Sequence, residues 1–215
     1  MMRAGSFKPR TSPYSFQGMG SKGIQILDDI RKKYDLKIVT EVKDSSHVQE
    51  VIEFADLVQI GAKAMFDYAI LEACGRSKKP VMIKRGFGAT AEELIQAAEF
   101  VLSLGNENVI VCERGIRTFE NKTRFTLDLS GAIYIKHKTN LPVFLDPSHG
   151  IGHAYGVPDL ARACMAGGFE GLLIETHPDP SMALSDSFQQ LHHEDFKALY
   201  TSLKKIGTAI GYNVI

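Results

Sequence analysis

The feature that most constrains the fold is a regular alternation of short apolar runs with longer amphipathic stretches, which begins at about residue 24. The short runs are apolar on both faces, which is typical of parallel strands covered by helices. Their starts are spaced roughly 20–33 residues apart, the step of a repeated β/α unit. We predict strands at Lys37–Val42, Leu57–Ile60, Pro80–Lys84, Asn108–Cys112, Leu141–Leu145 and Gly171–Glu175, with Met1–Phe7 as a further strand.

The amphipathic stretches carry apolar residues at helical spacing. In Ser46–Ala55 these are Val48, Val51, Ile52 and Ala55. Ser46 and Gln49 of the same stretch stand at the spacing of a capping box. Thr90 and Glu93 repeat the box before the next long stretch. We predict helices at Ser21–Tyr34, Ser46–Ala55, Phe66–Cys74, Thr90–Leu104, Leu127–Lys138, Val157–Ala166 and Glu194–Ile206.

This order predicts an α/β fold, a (β/α)₈ TIM barrel that lacks its first β/α unit in this chain. A closed barrel needs eight strands and about 250 residues, whereas the chain has 215. A doubly wound open sheet is the alternative, but no GxGxxG motif follows the first strand. Because no linker or low-complexity tract divides the chain, we expect residues 1–215 to form a single domain.

Composition excludes several classes of function. The 25 basic and 25 acidic residues balance, so bulk electrostatics would not hold a nucleic acid. We expect no membrane span and no signal peptide, because no apolar run is long enough for either. The three cysteines form neither a disulfide framework nor a CxxC metal motif. A cytoplasmic location is therefore expected.

Polar residues follow nearly every predicted strand. In a β/α barrel these positions gather at the carboxyl ends of the strands, where active sites are built. The cations among them would suit a small ligand with two or more anionic groups. Salt bridges to Glu41, Glu113 and Glu175 are the simpler alternative. The cations in question are Arg3, Lys8, Arg10, Lys63, Lys84 and Arg114.

Three residues after the last two strands indicate a metal site. His149, Glu175 and Asp186 offer one imidazole and two carboxylates, which can hold a divalent ion with open positions for substrate and water. The alternative is a histidine that is hydrogen-bonded to a loop carboxylate.

Several segments resemble the 3-deoxy-D-arabino-heptulosonate 7-phosphate (DAHP) synthases, in particular the compact bacterial and archaeal type I subgroup. The resemblance covers essentially the whole chain, and KPRTS distinguishes it from the 3-deoxy-octulosonate 8-phosphate synthases, which carry an ANRSS-like run there. The segments are KPRTSPYSFQG (8–18), IGAK (60–63), IKRG (83–86), GNENVIVCERGIRTFE (105–120), LDPSHG (145–150), IETHPDP (174–180) and ALSD (183–186).

The resemblance implies a metal-dependent enzyme, a homotetramer or homodimer, that condenses phosphoenolpyruvate with erythrose 4-phosphate at the entry to the shikimate pathway. It implies that Arg3, Lys84 and Arg114 grip phosphoenolpyruvate, with backbone amides of Gly61 and Ala62 nearby. Further implied roles place Lys8 between the substrates, Arg10, Thr11 and Ser12 on erythrose 4-phosphate, Glu41 near the reacting carbons, and His149, Glu175 and Asp186 on the metal.

The chain departs from the family pattern in two places. Lys63 stands where the family usually has arginine, so phosphate binding there should weaken. The chain also begins after the Gly-Pro-Cys motif whose cysteine is the family's fourth metal ligand. We therefore expect one strand and one ligand to be missing and activity to be reduced or absent. The remaining ligands would favour Mn²⁺, with Fe²⁺, Co²⁺, Zn²⁺ or Mg²⁺ as alternatives.

Three other functions remain open from the sequence. A Schiff-base aldolase would use Lys84 as its nucleophile. An inactive subunit would keep only a phosphate pocket. An octulosonate synthase would take arabinose 5-phosphate.

Overall fold

The structure is a computed structural model that describes residues 1–8, 12 and 14–215. The strands of this described part follow the order β1-β2-β3-β4-β5-β6-β7 in the sheet, which is also their order along the chain. The pairs β1–β2, β2–β3, β3–β4 and β6–β7 are parallel. The strands are β1 (Met2–Arg3), β2 (Ile38–Val42), β3 (Leu57–Ile60), β4 (Val81–Lys84), β5 (Val109–Glu113), β6 (Val143–Leu145) and β7 (Gly171–Leu172).

Helices connect these strands, so the predicted β/α alternation is confirmed. Aspartate side chains cap three of the helices by accepting backbone N–H bonds: Asp67 before α3, Asp128 before α5 and Asp146 before α6. The helices are α1 (Ser21–Tyr34), α2 (Val48–Phe54), α3 (Tyr68–Arg76), α4 (Ala91–Ser103), α5 (Leu129–Lys138), α6 (Pro147–Ile151), α7 (Val157–Ala166) and α8 (His193–Ala209).

Most predicted boundaries are met within about two residues, but β1 ends at Arg3 rather than Phe7, β7 at Leu172 rather than Glu175, and α8 at Ala209 rather than Ile206. Two further local features differ from the sequence prediction. The capping box at Ser46 is wrong: α2 begins at Val48, and the Ser46 hydroxyl hydrogen-bonds the Asp44 carboxylate and His47 instead. A short side chain that bonds its own loop competes with the cap. The second is α6, a one-turn helix that is absent from the predicted elements.

The described residues group into two compact units. The first consists of Met1–Gly86 and Glu92–Val111. Here β3 and β4 are buried along their whole length, and α2 and α4 turn Val51, Leu94 and Val101 inward with no exposed surface. Each such aliphatic side chain contributes about 1.5–3 kcal/mol by leaving water.

The second unit consists of Phe87–Ala91 and Cys112–Ile215. Its core forms where α7 packs on α8, through Val157, Ala161, Leu199 and Leu203. The single-domain organisation stays a prediction. No helix in the described ranges is both long and apolar enough to cross a bilayer.

Candidate functional site

Three polar side chains from neighbouring strands of the first unit form one hydrogen-bonded group. Arg3 Nη2 donates to Glu41 Oε2 over 3.1 Å, and Arg3 Nε donates to Gln59 Oε1 over 3.3 Å. Gln59 Nε2 donates to the same Glu41 oxygen over 2.8 Å. The register of β2 and β3 places Glu41 directly opposite Gln59. The arginine and the carboxylate are thus fixed relative to each other at the start of the sheet.

Gly61 lies against this group. A Cβ atom built on Gly61 would fall 2.0 Å from Glu41 Oε1 and 2.8 Å from Glu41 Cδ. Only a glycine lets the backbone approach the carboxylate this closely. Of the next two residues, Ala62 is half-buried and Lys63 is exposed.

The other positively charged residues of the first unit that the sequence predicted to bind an anionic ligand differ in burial. Lys84, the last residue of β4, is only 3% exposed, and its neighbour Arg85 is 4% exposed. Charged side chains are rarely buried this deeply unless they meet partners or ligands. Lys8 is half-buried and Ser12 is exposed, while Arg10 and Thr11 lie outside the described residues.

In the second unit, α6 sets the position of His149. Asp146 caps this helix by accepting from the His149 backbone N–H over 3.0 Å, and Pro147 opens its first turn. The other oxygen of Asp146 lies 2.8 Å from Nδ1 of the His149 ring. This contact leaves Nε2 of His149 facing Glu175, whose Oε1 is 3.7 Å away. A carboxylate behind a histidine is the usual way to orient a metal ligand.

His149, Glu175 and Asp186 come together as the sequence predicted. One ligand atom from each lies within 4.8 Å of the others. Asp186 adopts a left-handed conformation, with φ of 54° and ψ of 32°, which aspartate tolerates better than most residues. An imidazole with two carboxylates at this spacing fits a divalent ion such as Mn²⁺.

Three further side chains contact the two carboxylates, and the sequence did not single them out. Gln189 and Gln190 donate from Nε2 to Glu175 Oε2 over 2.7 and 3.3 Å. Arg124 Nη1 donates to Asp186 Oδ1 over 2.8 Å. The local signal was the adjacent pair Gln189 and Gln190 shortly after Asp186. The partners of Arg124 lie more than 60 residues away along the chain, so no local pattern could have found them.

Arg114 is the buried cation of the second unit. It is 6% exposed, and its guanidinium carbon lies 4.4 Å from the centroid of the Phe125 ring. Burial lowers the pKa of Arg114, and the nearby Asp146 opposes that shift. Its Nη1 is buried and hydrogen-bonds to none of the residues that the structure describes. An arginine donor in this state is suited to an anionic ligand.

The structure thus brings predicted residues together within each unit. Arg3, Glu41 and Gly61 meet in the first unit, and the histidine and two carboxylates meet in the second. The simpler alternative, salt bridging within the site, also holds in part, because Glu41 pairs with Arg3.

Known proteins match this chain along its whole length. A phospho-2-dehydro-3-deoxyheptonate aldolase from Thermotoga maritima is 45% identical over 214 residues, which is 100% of this chain and 63% of that protein. The chain therefore spans less than two thirds of that relative's length. A 2-dehydro-3-deoxyphosphooctonate aldolase from Francisella tularensis is 34% identical over 210 residues, covering 90% of this chain and 75% of the relative.

Solved structures agree with the sequence matches. The crystal structure of the Thermotoga maritima phospho-2-dehydro-3-deoxyheptonate aldolase (DAHP synthase) superposes with a TM-score of 0.96 at 45% identity, covering 99% of this chain and 62% of that one. A truncated form of the 3-deoxy-D-arabino-heptulosonate 7-phosphate synthase from the same organism gives 0.92 at 42% identity, with coverage of 99% and 78%. These similarities confirm the fold class of repeated β/α units. The DAHP synthetase I family model matches residues 1–211, and the chain belongs to that family.

Proposed function

We propose that this chain carries the catalytic machinery of a DAHP synthase, which joins phosphoenolpyruvate to erythrose 4-phosphate and releases phosphate. The observation that carries the proposal is the grouping of His149, Glu175 and Asp186 within 4.8 Å. The 45% identity to a DAHP synthase, against 34% to an octulosonate aldolase, favours this member of the family.

Buried cations hold phosphoenolpyruvate in this proposal. Arg114 offers a buried guanidinium nitrogen, and its stacking on Phe125 fixes the plane of its donors. The family resemblance assigns Arg3 and Lys84 to the same substrate. The resemblance likewise assigns the backbone amides of Gly61 and Ala62 and the charge of Lys63, which lacks the bidentate fork of arginine. Preorganised donors of this kind stabilise charge on the phosphate and carboxylate as bonds rearrange.

Erythrose 4-phosphate is assigned to the residues that follow β1. Lys8 would lie between the two substrates, with Arg10, Thr11 and Ser12 on the sugar phosphate. The assignment rests on the family resemblance of the KPRTS segment.

A divalent ion, with Mn²⁺ as the first candidate, would be held by His149, Glu175 and Asp186. When bound, it supplies a Lewis acid that polarises the aldehyde of erythrose 4-phosphate. The methylene carbon of phosphoenolpyruvate forms a bond to that aldehyde carbon, water adds at C2, and phosphate leaves by cleavage of the C–O bond. Lys8 would pass a proton to the new alkoxide or take one from the water. His149 is the other candidate from the sequence, but its Nδ1 lies 2.8 Å from Asp146 and its Nε2 would hold the ion, so it is not suited to this step. Glu41, held by Arg3 and Gln59, is the carboxylate near the reacting carbons.

Phosphate release from the two substrates tests the proposal. We expect turnover to be reduced, as the sequence predicts, and we expect EDTA to abolish it and Mn²⁺ to restore it. His149→Ala should remove that turnover, whereas His137→Ala, at an exposed position on α5, should not. Phosphoenolpyruvate binding without any turnover would instead identify an inactive phosphate-binding subunit.

The octulosonate reaction is the second candidate, because relatives with that name match 90% or more of the chain. Arabinose 5-phosphate offered in place of erythrose 4-phosphate separates the two. Faster phosphate release with the five-carbon sugar would overturn the DAHP synthase assignment.

We further propose a cytoplasmic homotetramer or homodimer. The three cysteines are buried and form no disulfide among the described residues, as suits a reducing compartment. Light scattering coupled to gel filtration measures the subunit number.

A further inference from the structure

Gln189 lies buried next to the group formed by His149, Glu175 and Asp186. It ends the short helical turn Ser187–Gln189 that directly follows Asp186, and it is only 1% exposed. Both ends of its amide are engaged. Nε2 donates to Glu175 Oε2 over 2.7 Å, and Oε1 accepts from Arg124 Nη1 over 2.7 Å.

The same guanidinium nitrogen of Arg124 continues the network to the second carboxylate. It donates to Asp186 Oδ1 over 2.8 Å. Gln189 therefore contacts Glu175 directly and is linked to Asp186 through one arginine. A buried amide with both ends satisfied is costly to rearrange, because either end would be left unpaired away from water.

The network distinguishes the two oxygens of Glu175. Oε2 accepts from Gln189, and Oε1 is the oxygen that faces His149 Nε2 at 3.7 Å. A carboxylate held by one oxygen keeps a fixed direction for the other. The Gln189 amide, with a longer 3.3 Å bond from Gln190 Nε2 to the same oxygen, thus orients Glu175 so that Oε1 points toward the histidine.

We propose that Gln189 is a positioning residue that sets the affinity of the site for its divalent ion, by orienting Glu175 directly and Asp186 through Arg124. The inference rests on the metal-dependent function proposed above. Partners that orient metal ligands typically change metal affinity by about 10–100-fold when they are removed.

The test is Mn²⁺ binding by the full chain without substrates, followed by the electron paramagnetic resonance signal of the free ion. Gln189→Met keeps the length of the side chain and removes both hydrogen bonds. We expect the dissociation constant of Gln189→Met for Mn²⁺ to be about tenfold higher than that of the parent protein. The thermal midpoint of the metal-free protein reports any loss of folding, and Gln189→Ala serves if the methionine variant does not fold.

A matched control is Gln49→Met. Gln49 also donates to a carboxylate, Glu53 Oε1, over 2.8 Å, but it lies exposed on α2. The Mn²⁺ affinity of the Gln49→Met variant should stay within twofold of that of the parent protein. Co²⁺ gives a second readout, because a changed coordination by Glu175 alters the intensity of its visible absorption, which a purely structural role of Gln189 would leave unchanged.

His149→Ala separates this inference from the proposed function. If His149→Ala loses Mn²⁺ binding while a folded Gln189 variant binds like the parent, the positioning role is wrong and the metal site stands. If His149→Ala binds Mn²⁺ as the parent does, the metal site itself is wrong, and both proposals fall.

Discussion

Gly61→Ala is the perturbation that the structure defines most sharply. The new methyl group would lie 2.0 Å from Glu41 Oε1, far inside van der Waals contact. The backbone at Gly61 is not in the left-handed region, so alanine adds no strain of its own. The carboxylate of Glu41 must therefore move, and it gives up its bonds to Arg3 and Gln59.

The magnitude follows from those two bonds. Hydrogen bonds to charged groups contribute about 1.5–3 kcal/mol each, and the displaced carboxylate recovers part of this from water because its side chain is 14% exposed. We expect the free energy of unfolding to fall by about 2 kcal/mol, or the thermal midpoint to fall by roughly 4–8 °C for a chain of this size. Phosphate release should fall as well, because Arg3 and Glu41 lose their fixed geometry.

Urea denaturation measures the effect, with Gly88→Ala as the matched control. A Cβ on Gly88 meets nothing within 4 Å, so this variant should stay within about 0.5 kcal/mol of the parent. In a Glu41→Ala background the Gly61 substitution should have little effect, as a double-mutant cycle would show. Equal stability of the two alanine variants in the parent background would refute the reasoning.

Three further predictions concern separate parts of the chain. Asn106→Ala should lower the free energy of unfolding, measured by urea denaturation, by about 3 kcal/mol. The reason is that the fully buried Asn106 amide donates to the carbonyls of Cys74 and Lys79 over 2.9 and 2.8 Å. A loss below 1 kcal/mol would contradict this prediction. Burial raises the pKa of the Cys74 and Cys164 thiols to about 12, so neither should react with a disulfide reagent at pH 8 until the protein is unfolded. Fast labelling of either thiol in the native protein would show that the burial is wrong. Arg114→Lys should raise the KM for phosphoenolpyruvate by about tenfold or more, because lysine lacks the bidentate guanidinium and its stacking on an aromatic ring. An unchanged KM in steady-state assays would show that Arg114 is not part of the binding site.

Local signals in the sequence predicted the elements of the fold. The apolar strands and the helical periodicity of stretches such as Val157–Ala166 depend on neighbouring residues, and their bounds are close to those observed. The grouping of His149, Glu175 and Asp186 was also predictable, because their residue types and their places after strands favoured a shared site.

Tertiary structure alone decided the contacts that support this chemistry. Gln59 lies in an apolar strand and is hydrogen-bonded to Arg3, which is 56 residues away in the sequence. Arg124 is likewise hydrogen-bonded to Asp186, 62 residues away. Periodicity and motifs report which face a residue takes within its own element, whereas such contacts depend on how distant elements pack. The start of α2 shows the same limit at short range, because the spacing of Ser46 and Gln49 favoured a capping box whereas the Ser46 hydroxyl bonds Asp44 and His47.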